Sequence, residues 1–239
     1  MSVIDGVVVI DKPAGMTSFR VVNAVRRRLS VKKAGHTGSL DPMATGVLPI
    51  CLGRATKLAG LIMEGRKVYE GRIRLGISTD TYDADGKVTA IHPVPDLDPE
   101  VIIKAVQRFT GRLLQMPPPF SAVKHNGQPL YKLARKGIFV EKAPRTIEVF
   151  SFELPEITLP DINFRICCTK GTYIRSIAHE LGEYLGTGGH LAALRRVQNG
   201  LFGIEQAVDL GRFDEIVSAG RLSEIITPID VVCVKAETI

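Results

Sequence analysis

Residues 35–46 read GHTGSLDPMATG and place one carboxylate, Asp41, among three glycines, three hydroxyl residues and a single histidine, His36. Local chemistry accounts for part of this. Asp41 caps a short turn, Pro42 starts it and Gly46 ends it, positions that these residue types favour. A capped turn does not account for the GHTGS that precedes the carboxylate, nor for a histidine five residues upstream of it.

The flanking sequence supplies regular elements. Val7–Ile10 predicts a short buried strand ending in the turn DKPAG, and Thr17 or Ser18 then caps a helix with apolar Val21, Val22, Val25 and Leu29. Arg26, Arg27 and Arg28 fall on its last turn, where the helix dipole favours cations. Val47–Leu52 reads as a strand, Ala55–Met63 as a helix and Val68–Ile77 as a strand, with a hairpin turn at Asp85-Gly86 before Val88–Ile91.

Asp98-Pro99 opens a helix as cap and first residue, with a stripe of Val101, Ile102, Ala105, Val106 and Phe109 and Gly111 just past its end. Residues 115–146 carry Pro117, Pro118, Pro119, Gly127, Pro129, Gly137 and Pro144, a long loop of the kind that serves function. Strands resume at Ile147–Phe152 and Ile162–Thr169, and Thr172–Leu185 is an amphipathic helix closed by Gly186. Leu191–Gln198 reads as a strand, and short helices follow around Phe213–Val217 and Leu222–Ile226. Strands and helices do not alternate regularly, which predicts an α+β fold with a largely antiparallel sheet.

At 239 residues the chain can bury a substantial core as one large domain or two small ones. No window approaches 18 uninterrupted apolar residues, so a membrane-spanning helix is not expected. The start, MSVIDGVVVIDKP, carries Asp5 and Asp11 and no basic leader, which points to a cytoplasmic protein. Cys51, Cys167, Cys168 and Cys233 show no metal-type spacing. Neighbouring Cys167 and Cys168 face opposite sides of a strand, so all four are expected reduced and mostly buried.

The net charge of +6 is unevenly placed. Residues 1–34 hold seven basic side chains against Asp5 and Asp11, and residues 117–145 hold six against Glu141. Two segments therefore carry all the positive excess, and a polyanion is the natural partner. The second interleaves its bases with Phe120, Tyr131 and Phe139, so cations can track phosphates while rings stack on unpaired bases. A solvated surface loop is the plainer alternative.

Other motifs fall away. In TDTYDADGK, aligning Gly86 to the sixth position of a calcium loop puts His92 where a bidentate Glu is required. GTGGH (186–190) follows a helix rather than a strand, no Gly-Lys-Ser/Thr completes a phosphate loop, and the histidines lack metal-site spacing.

GHTGSLDPMATGVLPICLGRATK closely resembles the catalytic motif of bacterial tRNA pseudouridine-55 synthases, the TruB-type pseudouridine synthase family. GVVVIDKPAGMTS resembles the family's N-terminal strand and turn, and KVYEGRIRLGISTDTYDADG its tyrosine-bearing strand and aspartate-rich turn. PPPFSAVKHNGQPLYKLARKG is similar to the RNA-gripping thumb, and CTKGTYIRSIAHELGEYLGTGGHLAALRR to the basic-residue motif and the segment after it. Together these reach to about Phe202.

The resemblance implies the pseudouridine synthase fold, an α+β catalytic domain with a central mixed sheet, helices and loops flanking a catalytic cleft. It implies isomerisation of uridine 55 in the TΨC arm of tRNA without cofactor or metal. The family's nucleophile falls on Asp41, its active-site tyrosine on Tyr69, and the arginine that pairs with the catalytic carboxylate on Arg175. Substrate contacts carry over to His36, Tyr173 and Leu194, and within the basic segments Lys12, Lys124, Lys132 and Arg135 are candidate RNA contacts. Relatives that use guide RNAs usually read Ser-Gly-Thr after the histidine. Thr37-Gly38-Ser39 here favours the stand-alone bacterial type, a monomer needing no protein partner.

The implied organisation is one catalytic domain over 1–239. An N-terminal part of about 1–170 contains the thumb at about 117–145, and a second part covers about 171–232. Only 37 residues follow Phe202, too few for the additional RNA-binding domain that family members commonly carry. Two other classes remain open to the residues themselves. A non-catalytic RNA-binding or RNA-folding protein would use the same basic segments. A carboxylate glycoside hydrolase would want a second acid facing Asp41, and no other acidic residue lies within that motif.

Overall fold

A computed structural model describes residues 4–121, 123–138, 140 and 142–236, excepting the side chains of Lys124, Lys235 and Ala236. Strand β1 (Gly6–Lys12) turns into helix α1 (Ser18–Arg28), followed by β2 (Ala34–His36) and β3 (Thr45–Leu52). A helical segment of tighter pitch, Gly53–Leu58, runs into α2 (Ala59–Glu64). Next come β4 (Lys67–Leu75), β5 (Ile77–Thr79), β6 (Val88–Ile91), α3 (Pro99–Gln107) and β7 (Gly111–Gln115). The short β8 (Lys124–His125), β9 (Gln128–Pro129) and α4 (Leu130–Ala134) precede the long β10 (Arg145–Thr158) and β11 (Asp161–Cys168). The chain closes with α5 (Ile174–Tyr184), β12 (Gly189–Asn199), β13 (Phe202–Gly203), α6 (Leu210–Ser218), β14 (Ile226–Thr227) and α7 (Ile229–Ala236).

The residues divide into two compact units, one of residues up to Tyr69 and from Leu194 onward, the other of Glu70–Ala193. The chain leaves the first unit inside β4 and returns to it inside β12.

In the first unit the strand order is β14-β1-β3-β12, with β2 added to β3 and β13 to β12. β1 pairs antiparallel with β3 (Val8 opposite Ile50), and β12 runs parallel to β3 with Arg196 opposite Gly46. The sheet is thus mixed and largely antiparallel. The unbroken apolar run of β1 follows from burial on both faces. Val8 and Ile10 pack with Val21, Val22, Val25 and Phe213, whereas Val7 and Val9 pack with Ala55, Ile62, Phe202 and Val232. Helices α1 and α6 supply the first layer, and α2 and α7 contribute to the second. Thr17 begins α1 by accepting the Arg20 N–H on its hydroxyl, as a helix cap does.

In the second unit the order is β4-β11-β10-β7. Ile162, Phe164, Ile166 and Cys168 alternate inward along β11, the period of a strand covered on one face. Helix α5 buries Ile174, Ile177, Ala178 and Leu181, one stripe at helical spacing. Gly186, at φ +72°, ends it: its N–H bonds to Glu183 O, and that of Thr187 to Gly182 O, the paired reach-back that a left-handed residue permits.

Several boundaries differ from the sequence reading. The helix expected over 55–63 splits in two, because Asp5 accepts the Arg54 N–H and draws in the first turn. Helix α3 stops at Gln107 with Arg108 as its cap, and Gly111 at φ +93° opens β7 instead. Residues 115–146 are not loop throughout but carry the β8–β9 hairpin and α4. The short helix expected around Leu222–Ile226 is a single turn of tighter pitch, Leu222–Glu224, after which Ile226 and Thr227 form β14 and give β1 backbone partners. The sequence did not signal α7, whose Val232 is fully buried. None of the four cysteines forms a disulfide; Cys51 and Cys168 are buried and Cys167 and Cys233 only partly so. No helix among the described residues is long and apolar enough to cross a membrane.

Gly182 tests the packing of α5. A Cβ there would lie 2.3 Å from the Gly188 carbonyl carbon and 2.4 Å from the Gly189 nitrogen, both backbone atoms. Ala in a helix interior ordinarily gains about 1 kcal/mol over Gly. Here Gly182→Ala should instead destabilise by roughly 1–3 kcal/mol, the usual range for overpacking, measured by urea unfolding.

Candidate active site

The backbone from Thr37 to Pro42 lies between strands and has no ladder of its own, yet each of its carbonyls except that of Asp41, and the Leu40 N–H, is held by a buried side chain. Asn199 Nδ2 donates to Thr37 O at 3.1 Å. Arg196 donates through Nη2 to Gly38 O at 3.0 Å and through Nη1 to Ser39 O at 3.4 Å, while its Nε reaches Val47 O at 2.8 Å. Ser18 Oγ accepts the Leu40 N–H at 2.8 Å and donates to Leu40 O at 3.1 Å. Beyond Asp41, Pro42 O accepts from Lys12 Nζ at 3.1 Å and from the Gly15 N–H at 2.9 Å.

Asp41 therefore sits half-buried in a bend whose backbone is fixed on both sides. Its own carbonyl accepts the Ala44 N–H, the turn that Asp-Pro predicts. Gly46 does not end that turn but lies inside β3, where a Cβ would come within 2.2 Å of Arg196 O. Only glycine permits the parallel pairing of β3 with β12 at this point.

Four other expected residues share this unit. His36 ends β2, and its Nδ1 accepts the Gly38 N–H at 3.4 Å. Burial, then the nearby Arg196 charge, push the His36 pKa below its ordinary value, so the ring is neutral at physiological pH. Tyr69 on β4 is 9% exposed. Leu194 on β12 is equally enclosed. Lys12, expected among the RNA contacts, has no exposed surface; its ammonium is held by the Pro13 and Pro42 carbonyls and supports the Asp41 bend.

The second unit holds the remaining candidates. Arg175, in the first turn of α5, is buried and donates to Asp83 Oδ2 at 3.4 Å and to Phe120 O at 2.7 Å. Tyr173 caps that helix, exchanging two backbone–side-chain hydrogen bonds with Gln115. The Arg175 guanidinium lies 5.9 Å from its ring centre, a cation–π distance. Lys132 and Arg135 stand exposed on and just after α4, with Arg135 over the Tyr131 ring at 5.6 Å. The Lys124 side chain and Phe139 lie outside the described residues.

TDTYDADGK forms the loop of the β5–β6 hairpin, as its Asp-Gly pair predicts. Its carboxylates serve that loop. Asp80 accepts the Lys87 N–H, and buried Asp83 accepts from the Thr81 hydroxyl and the Asp85 N–H while facing Arg175.

Sequence reasoning missed Ser18, Asp83, Arg196 and Asn199 as site residues. For Arg196 a signal existed. Residues two apart on a strand share a face, so Leu194 as a substrate contact puts Arg196 on the same side. The others are polar residues whose burial depends on long-range packing and leaves no periodic trace.

Residues 26–174 match the family model described as TruB family pseudouridylate synthase (N terminal domain), and 175–233 that of the tRNA pseudouridylate synthase B C-terminal domain. A Geobacter sulfurreducens protein named tRNA pseudouridine synthase B is 48% identical over 93% of this chain and 73% of its own length. A Francisella philomiragia protein of the same name is 47% identical, over 93% and 74%. The Cbf5-Nop10-Gar1 crystal structure contains a chain that superposes with a TM-score of 0.75 and 31% identity, covering 97% of this chain and 61% of that one. The archaeal box H/ACA sRNP Nop10-Cbf5 complex gives 0.70 and 29%, over 97% and 60%. The chain thus spans about three quarters of these curated relatives and about three fifths of the solved chains.

Fold and motifs together define a pseudouridylate synthase. The chain belongs to the TruB family of these proteins, with both family models in register over 26–233.

Ser18 offers a clean probe of the bend. Ser18→Ala leaves the Leu40 N–H and C=O buried without their partner, a loss of about 1–3 kcal/mol. If the bend positions Asp41, kcat should fall while tRNA affinity changes little. His36 sets a pH expectation. Its folded pKa is depressed, so the unfolded chain takes the proton first and stability falls as pH drops through about 6.5. His36→Gln should flatten that part of a stability–pH profile.

Proposed function

We propose that this chain isomerises uridine 55 in the TΨC arm of tRNA to pseudouridine, with Asp41 as the nucleophile. The observation that carries the reading is the family motif around Asp41, held by buried side chains along the preceding and following backbone. The reaction breaks the bond between base N1 and sugar C1′ and remakes it from C5 to C1′. Atoms and electrons are conserved, so the chemistry needs a nucleophile, a proton acceptor and a confined site rather than a co-reactant. The Asp41 carboxylate attacks either the base ring or C1′. After the base turns and rejoins through C5, the C5 proton must leave, and the Tyr69 hydroxyl is the candidate to take it.

Arg175 is the family's cation for this carboxylate. Its own burial beside Asp83 and the Phe120 carbonyl supports a fixed guanidinium rather than a mobile surface charge. The uridine lies in a folded arm and must be extruded, at a cost of a few kcal/mol. His36, neutral and half-enclosed, suits a stacking or wedging role, and Leu194 and Tyr173 suit contact with the flipped base. Lys132 and Arg135, exposed on the segment read as the thumb, suit the phosphates. We extend the reading to a monomer acting in the cytoplasm without a protein partner.

The test incubates a T-arm stem-loop with wild type and Asp41→Asn and maps pseudouridine. Product from wild type alone supports the reading; binding without conversion by wild type sinks it in favour of an RNA-binding protein. Arg175→Met should cripple turnover with the fold intact, and Tyr69→Phe should slow it if the hydroxyl takes the proton. If the two basic segments neutralise roughly 6 phosphates, the log–log salt slope of binding should lie near −5.

A further inference from the structure

Two ring side chains of the second unit, Tyr82 and His179, lie face to face with centroids 3.9 Å apart and planes 5° off parallel. Tyr82 belongs to the loop of the β5–β6 hairpin, and His179 sits one turn beyond Arg175 on the same side of α5. The hairpin loop therefore meets α5 at two neighbouring points. Tyr82 stacks on His179, and the next residue, Asp83, accepts from Arg175 Nη1 at 3.4 Å.

Both halves of the stack carry a cost. Tyr82 holds φ +66°, in the left-handed region that a bulky side chain rarely enters. His179 Nδ1 is buried and has no hydrogen-bond partner among the described residues, where a phenylalanine would bury no polar atom. Packing alone does not select backbone strain and an unmatched polar atom on one contact. Strain of this kind persists where the surroundings over-determine it, at sites that need a fixed geometry.

The surroundings do so here. The Tyr82 N–H bonds to Thr79 O, Tyr82 O accepts the Leu191 N–H, and the Ala84 N–H bonds to Leu191 O. The Thr79 hydroxyl donates to Asp83 O at 2.7 Å, and Asp83 Oδ1 accepts from Thr81 Oγ1 and the Asp85 N–H. Along extended chain, consecutive side chains point to opposite faces. The left-handed turn at Tyr82 breaks that alternation, and residues 82 and 83 both reach α5.

We propose that the Tyr82–His179 stack is a positioning device for Arg175. The rings set the spacing between hairpin loop and helix at which Asp83 holds the guanidinium. An ion pair tolerates a range of distances, whereas two flat faces in contact do not. This rests on the reading of Arg175 as the cation for the Asp41 carboxylate, and it adds two residues that touch no substrate.

Tyr82→Gly is the sharpest variant. Glycine accepts a positive φ without strain, which offsets the lost ring contact, so the unfolding midpoint should shift little. With the stack gone, kcat should fall by about 10- to 100-fold, the scale of a misplaced catalytic group, at unchanged stem-loop affinity. His179→Ala should behave alike, while Tyr82→Phe and His179→Phe keep two rings and should keep kcat. In an Arg175→Met background, Tyr82→Gly should slow conversion little further, as for groups that act as a unit. A second readout needs no RNA. The Arg175 Nε–H is buried, and its NMR signal is assigned by its loss in Arg175→Met. It should exchange slowly in wild type and both Phe variants, and faster in Tyr82→Gly and His179→Ala.

Wild-type kcat in folded Tyr82→Gly, or unchanged Nε–H exchange there, would overturn the proposal. So would a loss of affinity as large as the loss of rate, which would put the rings on the RNA. If Tyr82→Gly does not fold, Tyr82→Asn, which also tolerates the left-handed region, decides by the same criteria. Should wild type form no pseudouridine, the function reading falls, while the Nε–H exchange still decides whether the stack fixes Arg175.

Discussion

One buried guanidinium sets the terms for this site. Arg196 projects from β12 into the bend before Asp41 and satisfies two successive carbonyls, Gly38 and Ser39, together with Val47 O on β3. Its backbone lies against Gly46, whose missing side chain is what lets β3 and β12 run side by side here. The strand pairing, the glycine and the bend are thus one construction. Burying such a charge is unfavourable until its donors are used, and a bend rich in unpaired carbonyls uses them.

The same logic runs along the whole stretch. A chain that passes between strands exposes N–H and C=O groups to a dry interior, where each must find a partner. Asn199, Ser18 and Lys12 supply those partners around Arg196, and each is almost wholly buried. Regular structure would have satisfied the backbone at lower cost in polar side chains, but a helix or strand would not present a single carboxylate from a tight bend. Stability is given up for geometry, and the polar residues restore part of it.

Much of the architecture was legible because it rests on short-range signals. The Asp98-Pro99 start, the Asp85-Gly86 hairpin and the α5 stripe closed by Gly186 are local chemistry, and they appear as read. The unbroken run of β1 could be called a buried strand, though not one covered on both faces, since that depends on α7 and α6 from the far end of the chain. Asp41 and Tyr69 became candidates through resemblance rather than physics. Nothing in the periodicity of the sequence marks Lys12 as a buried support instead of a surface cation, because a lysine beside a turn looks the same in either role until the Pro42 carbonyl is brought to it.

The central claim is that buried side chains, not a strand ladder, hold the bend that carries Asp41. Amide hydrogen exchange in the native protein tests it directly, because protection reports the free energy needed to expose each N–H. The Leu40 amide, whose partner is Ser18 Oγ, and the Thr37 amide, bonded to Pro49 O, should exchange as slowly as amides of β1 and β3. Exchange of the Leu40 amide as fast as that of exposed residues in the β8–β9 turn would mean the bend opens freely, and would contradict the account.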